Sequence, residues 1–578
     1  MRLPPLLRPV AAGTLLLGLA LALGSCDALV RAEPPLAAPR TLAEALAAPS
    51  FAKTRALAEQ TGLTAQLTGN TFFAPDDEAY ALLGLETEAA LRERPETLAR
   101  VLRRHVVTGR LTRADLTDGA LLPTLEGTPL RVSVQGPDVF VGQARVKAFD
   151  LATDGGVLHR VETIERDHLT SAERLELAPA LSRARAALER TGLAARAAGE
   201  APYTLLLPVD EGWAGLPGGP GPLFAPHNAD LLLATARAFV LPGRHTLAEL
   251  QAAGVARAEG GLALPVATRG PRVYVGDMRV ALPDVATRNG VLHVVAQPAQ
   301  QHLTLGQRLR LVPDAADLRS AFASAGLLGE LEAPGERTLF APTNAAFTAL
   351  GTAVTTPLFG GQEPELRRHL LRYALVQGRV PAAAVVNGAV FTSVTGEPVA
   401  VTPAPDSGRP RIARARLGAT LDLEAANGTL HLTQDFLNPP LSLYDQLLLS
   451  GYVRFRDLVR VGGLADALRG PGPLTVLAAE IVPAGYLTGA GTCQAPAAAR
   501  AHVAEGRHPF VNSGFALPML DGRTVSLSLS GGATRIGAGS PPPTYTSAVR
   551  ATDLTAANGI IHGLARALVP ASPDACLR

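Results

Sequence analysis

Apolar positions recur with two different periods along this chain. In "LSRARAALER" (181–190), Leu181, Ala184 and Leu188 fall on one face of a helix, the spacing of an amphipathic helix packed against a core. In "TFFAPDDEAYALLGL" the β-prone Thr71, Phe72 and Phe73 predict a short strand ended by Pro75, with Asp76 placed to cap a following helix. Alternation in "LRVSVQGPDVFVG" (130–142) predicts two strands around a Gln-Gly-Pro-Asp turn. A helix-rich stretch followed by a strand-rich one is an α+β unit.

The same order of signals comes round four times. "GGVLH" ends at His159, "NGVLH" at His293, "NGTLH" at His431 and "NGIIH" at His562, so the histidines are 134, 138 and 131 residues apart. In phase with them run "TFFAPDDEAY" from Thr71, "TLLLPVDEGW" from Thr204 and "TLFAPTNAAF" from Thr338, with prolines at Pro75, Pro208 and Pro342. The fourth version, "TVLAAEIVPAGY" from Thr475, lacks that proline. Gly-Arg pairs at 109–110, 243–244, 378–379 and 506–507 form a third landmark, and helix ends at "TGL", "TGL", "AGL" and "GGL" (61–63, 191–193, 325–327, 462–464) a fourth. Four units are therefore expected, at 41–167, 168–302, 303–438 and 439–572.

These residues resemble the fasciclin domain, whose first motif runs approximately Thr-x-Phe-Ala-Pro-Thr-Asn-x-Ala-Phe and whose second centres on Asn-Gly-x-x-His. The resemblance implies four tandem fasciclin-like domains, each a helical first half packed on a β-sheet or β-sandwich wedge. It further implies weak extracellular binding and a role in adhesion, with tandem copies adding avidity toward a repetitive partner. The family commonly carries a Tyr-His pair ahead of its central Gly. Here those positions hold Arg104-His105, Ala238-Phe239, Tyr373-Ala374 and Ala501-His502, and no repeat keeps both.

Within the second motif, Asn289-Gly290, Asn427-Gly428 and Asn558-Gly559 predict type I′ hairpin turns, in which both central residues take positive φ; Gly155-Gly156 meets the same demand. On the strand after the turn, His293 shares a face with Val291 and Val295 while Leu292 and Val294 face the other way. A strand apolar on both sides is buried. Its histidine is then expected to be neutral and hydrogen-bonded to nearby backbone or hydroxyl groups, as His159, His431 and His562 should be.

Metal ligation is not expected, because each unit offers this one His without partner His or Cys at ligand spacing. Motifs for metalloproteases, serine hydrolases, redox dithiols and P-loops are absent, and neither lysine of the chain, Lys53 or Lys147, follows a Gly. No enzyme and no cofactor are expected. The 53 basic and 51 acidic residues are interspersed, which argues against nucleic acid as a partner.

The N-terminal residues read as an export signal at 1–25: Arg2 and Arg8 precede an apolar stretch from Val10 to Leu23 that ends in small residues. "LGSC", Leu23–Cys26, resembles a bacterial lipobox, which implies lipidation of Cys26 and a Pro- and Ala-rich tether at 26–40. An exported, lipid-anchored envelope protein follows, on the periplasmic or cell-surface face. Its expected partners are the membrane through the anchor, and extracellular matrix, surface polysaccharide or other envelope proteins. Outside the reducing cytosol, Cys493 and Cys576 are free to pair across 83 residues. The alternative reading is a binding module for a polysaccharide, lipid or other small ligand through one divergent repeat, the fourth being the most divergent.

Overall fold

The computed structural model describes residues 41–569, apart from 85, 154, 404–409, 511–515, 531–532 and 539–544. The chain forms two compact units, one from the chain up to Leu82 together with Leu98–Ile164, the other from Leu83–Thr97 with everything from Glu165 onward. Cys26 and Cys576 lie outside the described residues, as do the segments 1–25 and 26–40 where an export signal and a tether are expected.

In the first unit a seven-stranded sheet is built around the parallel pair Thr71–Pro75 and Gly156–Val161. Val106–Val107 flanks one side, and the meander Ala144–Thr153, Asp138–Val141, Leu130–Gln135 and Leu121–Leu122 continues from the other. Phe73, Val132, Val139, Val141 and Val161 form its apolar interior. The Gln-Gly-Pro-Asp turn falls where the alternation places it, with Gln135 opposite Asp138.

The second unit repeats this sheet with the same strand order around Tyr203–Pro208 paired with Gly290–Val295, and around Leu474–Ile481 paired with Gly559–Arg566. Around Arg337–Pro342 and Gly428–Thr433 the equivalent strands divide into two four-stranded sheets, joined by isolated bridges at Val376–Ser393 and Leu417–Thr433. Helices precede each central strand. Ser182–Arg190 buries Ala184, Ala187 and Leu188, and Thr191 closes it before Gly192 turns at φ 74°. Helices and mixed sheets in repeated wedges make an α+β fold.

The predicted strand end at Pro75 is present, but the cap differs. Asp76 Oδ1 accepts from Ala79 N–H at 3.0 Å, yet only a turn and the 3₁₀ segment Ala81–Leu83 follow, and Asp76 also pairs with Lys147 at 3.1 Å. The corresponding helix Asn344–Leu350 is capped by Thr343 instead.

Within the second unit, successive repeats are joined by polar pairs at one recurring position, fifteen residues before the Gly of each Gly-Arg pair. Arg94 meets Glu176 at 2.9 Å, Asn228 meets Arg310 at 3.1 Å and Glu363 meets Arg456 at 2.7 Å. Glu86, buried, takes both Arg166 and Arg174. Between the third and fourth repeats, Val354, Leu358, Leu366 and Leu370 pack with Leu441 and Leu448, so that junction is apolar as well.

Candidate functional site

The recurring motif residues converge in each repeat on one buried node at the central parallel strand pair. The threonine that opens the strand is its first member. Thr71, Thr204, Thr338 and Thr475 donate from Oγ1 to the carbonyl of Gly109, Gly243, Gly378 and Gly506 at 2.7–2.9 Å. Each also accepts from the N–H two residues beyond that Gly, at 2.8–3.0 Å. The Gly-Arg landmark is thus a loop pinned to the strand, with its Gly at φ 79–90°.

The histidine is the second member. His159, His293, His431 and His562 are fully buried. Each accepts at Nδ1 from the backbone N–H of an aspartate nine residues earlier: Asp150, Asp284 and Asp422 at 3.1 Å, Asp553 at 3.3 Å. At the other nitrogen, Nε2 donates to the carbonyl of Leu111, His245, Val380 or His508 at 2.8–3.0 Å. A backbone N–H can only donate, so Nδ1 must be the unprotonated nitrogen and the proton resides on Nε2. Burial pushes all four imidazoles below their ordinary pKa, opposed by the Nε2 bond and by the nearby aspartate. Both nitrogens are committed to backbone. Neither is available to a substrate or a metal.

The recurrence of those aspartates is not among the landmarks read from the sequence. All four take positive φ, 55–57°, three of them at an irregularity in the strand before the hairpin and Asp422 just ahead of that strand, and their Oδ1 atoms accept from the N–H of Arg113, Leu247, Ala382 and Phe510 at 2.7–2.9 Å. The signal that could have revealed them is an Asp nine residues before each His in all four repeats.

The Asn-Gly expectation is corrected. None of Asn289, Asn427 and Asn558, nor the glycines after them, has positive φ, and the two-residue turns are Arg288-Asn289, Ala426-Asn427 and Ala557-Asn558, with the Gly already in the strand. The demands are different ones. A Cβ on Gly290, Gly428 or Gly559 would lie 1.9, 1.8 or 2.1 Å from the carbonyl oxygen of Tyr203, Arg337 or Leu474 on the parallel neighbour. Gly156 faces Asn70 O at 2.5 Å in the same way. The Asn is a clamp. Asn289 Oδ1 accepts from Ser171 N–H at 2.8 Å, at the start of the repeat's first helix, and Nδ2 donates to Ala197 O at 2.8 Å and Gly199 O at 2.7 Å. Asn427 holds Leu305 N, Leu331 O and Ala333 O, and Asn558 holds Leu443 N, Leu468 O and Gly470 O.

In the first repeat Gly155 has no side chain to do this. There Asn70, beside the strand, donates to Gln66 O at 2.8 Å, the carbonyl that corresponds to Gly199 O. Pro75, Pro208 and Pro342 close the central strand opposite Val161, Val295 and Thr433. At the Tyr-His positions, His105 and His502 are buried and bond through Nδ1 to Val101 O and Ala498 O, each at 2.8 Å. Cys493 is disulfide-bonded. Among the described residues no group of three or more His, Cys, Asp or Glu side chains could hold a metal ion, and no helix is long and apolar enough to cross a membrane.

Comparison with known proteins places this node in context. The family model described as the fasciclin domain matches residues 49–164, 179–300 and 313–439. The chain is 26% identical over 404 residues to transforming growth factor-beta-induced protein ig-h3 of Sus scrofa, which covers 68% of this chain and 56% of that protein. It is 30% identical over 209 residues to human periostin, covering 36% of this chain and 24% of periostin. It is also 33% identical over 124 residues to protein sll1483 of Synechocystis, covering 22% of this chain and 67% of that one. The chain therefore spans about half the length of ig-h3 and about a quarter of periostin. Among solved structures, a FAS1 domain pair from the insect cell adhesion molecule fasciclin I matches 43% of this chain and 92% of its own, at 19% identity and a TM-score of 0.23. With more than half of its residues matched by the family model in three successive copies, the chain belongs to the fasciclin domain family.

Proposed function

We propose that this protein is a lipid-anchored, exported array of four fasciclin domains that acts in adhesion or as an extracellular interaction scaffold, without catalysis. The observation that carries the reading is the node itself: in every repeat the histidine and threonine of the family motifs, and in the last three the asparagine as well, are spent on backbone inside the domain. What is left for recognition is the outer surface, displayed several times along one chain, which suits weak contacts multiplied by avidity. The fourth repeat lies beyond the residues matched by the family model, and its support is the shared strand order and the same four-part node. Anchoring through Cys26 is supported by the order of apolar, small and Cys residues at 23–26. A Cys493–Cys576 disulfide is supported by the bonded state of Cys493.

Attachment and aggregation assays on cells carrying the full protein, a Cys26→Ala form and a deletion test the adhesive reading. The full protein should promote attachment, the Cys26→Ala form should be shed and lose it, and equal behaviour of all three would remove the reading. A second reading, a ligand site formed with the divergent fourth repeat, is favoured by the unpaired arginine described next.

A further inference from the structure

The Gly-Arg arginine has the same job in two repeats and a different situation in the fourth. Arg244 donates to the hairpin carbonyls Thr287 O and Arg288 O at 3.2 and 3.3 Å. Arg379 donates to Ala425 O and Gly428 O at 3.1 and 2.7 Å and is neutralised by Glu424 and Glu336. Arg507, at the same position, is exposed and has no hydrogen-bond or ion-pair partner among the described residues. Neither acid that flanks Arg379 has a counterpart beside Arg507: Thr555 stands at the position of Glu424 and Pro473 at that of Glu336.

Both arginines line clefts that occupy equivalent places at successive repeat junctions inside the second unit. The cleft between the second and third repeats, about 420 Å³, holds Arg379 together with Glu424 and Asp277. The cleft between the third and fourth repeats, about 410 Å³, holds Arg507 and Arg414, and among the described residues none that lines it is acidic. Arg414 occupies the hairpin position of Asp277 and donates to Thr555. From the earlier junction to the later one the two lining acids, Asp277 and Glu424, give way to Arg414 and Thr555.

The rest of the lining completes a site. Asn438 lines the cleft, with its Oδ1 shielded from solvent and without a hydrogen-bond partner among the described residues. Pro439, Pro440 and Ala413 supply an apolar floor. The volume is at the lower end of the roughly 300–1,000 Å³ of small-ligand clefts, room for a sugar unit or two. A guanidinium matches the fork geometry of a carboxylate, and a proline floor receives the C–H face of a ring. We infer that the cleft between the third and fourth repeats binds a carboxylate-bearing sugar unit, the end or a segment of an acidic polysaccharide. This rests on the second reading above and narrows it to one cleft and one ligand class.

Calorimetric titration of the soluble array from Glu33 onward with tetragalacturonate tests it, beside a neutral galactose tetramer and vesicles containing phosphatidylglycerol. The acidic tetramer should bind and the neutral one should not. Arg507→Glu, an exposed substitution, should weaken binding about tenfold or more, the scale of one charge-assisted hydrogen bond. Thr555→Glu, which restores the acid of the preceding junction, should do the same with unchanged thermal unfolding. Absence of uronate binding, uronate binding indifferent to both substitutions, or Arg507-dependent binding of the vesicles alone would overturn the proposal. A glycan and lipid array that stays silent for the whole protein would sink the second reading itself, whereas array signals indifferent to Arg507 would sink only this cleft.

Discussion

Replacing Asn289 by Ala removes one side chain and strands backbone groups on two elements distant in sequence. Ser171 N–H, at the start of the repeat's first helix, loses its acceptor at 2.8 Å, and Ala197 O and Gly199 O lose a donor at 2.8 and 2.7 Å. Asn289 and Ser171 are 4% and 2% exposed, so water does not readily take over these bonds. An orphaned buried polar group costs about 1–3 kcal/mol, the carbonyls less than the N–H because they keep a second lone pair. The total is about 3–5 kcal/mol, against roughly 5–15 kcal/mol for a whole domain. Hydrogen exchange of the full soluble chain reads this locally, since repeats of one chain need not unfold together. Protection should fall across the second repeat, at Ser171 and along Gly290–Val295, and persist in the fourth. A loss below about 1 kcal/mol would refute the clamp, leaving the Asn as a turn residue only.

Gly290→Ala should destabilise the same repeat by about 3 kcal/mol, because its Cβ would lie 1.9 Å from Tyr203 O in a strand that cannot shift without breaking its pairing; denaturant melts reporting less than 1 kcal/mol would contradict the close approach. Glu363→Ala leaves the buried Arg456 guanidinium without its 2.7 Å partner and should cost about 3 kcal/mol at the junction of the third and fourth repeats, seen as lowered protection of Leu443–Leu449. His502 has its pKa pushed down to about 4 by burial. Its folded pKa lies below the unfolded 6.5, so the unfolded chain takes up the proton first as pH falls. The stability it contributes is present above about pH 6.5 and is lost between there and about pH 4, roughly 3 kcal/mol in all. Urea midpoints that stay flat over that window would contradict it.

Much of this was legible because it is local or repeated. The strand at Thr71–Pro75, the helix face of Ala184 and Leu188, and the burial of the His293 strand follow from periodicity within ten residues. What Asn289 and Gly290 do was not legible. Both roles depend on the parallel pairing of Gly290–Val295 with Tyr203–Pro208 and on a helix start 118 residues earlier, and local turn statistics carry no trace of either. Asp284 was missed for a related reason: its backbone faces the His293 ring only because the intervening strand is irregular, which displaces it from simple alternation. The cleft at Arg507 became visible only by comparing equivalent positions in neighbouring repeats, after the sheets had defined the register.

The claim that the family motif is spent on the fold is tested most directly at the imidazoles. Nitrogen-15 NMR of the histidine rings in the soluble array, with assignments from single His→Gln variants, reports tautomer and titration together. His159, His293, His431 and His562 should each carry the proton on Nε2, show an unprotonated Nδ1, and remain neutral as the pH falls through 6.5, where an unperturbed imidazole is half charged. Protonation at Nδ1, or titration at or above pH 6.5, would contradict the account and return these histidines to the candidates for ligand binding.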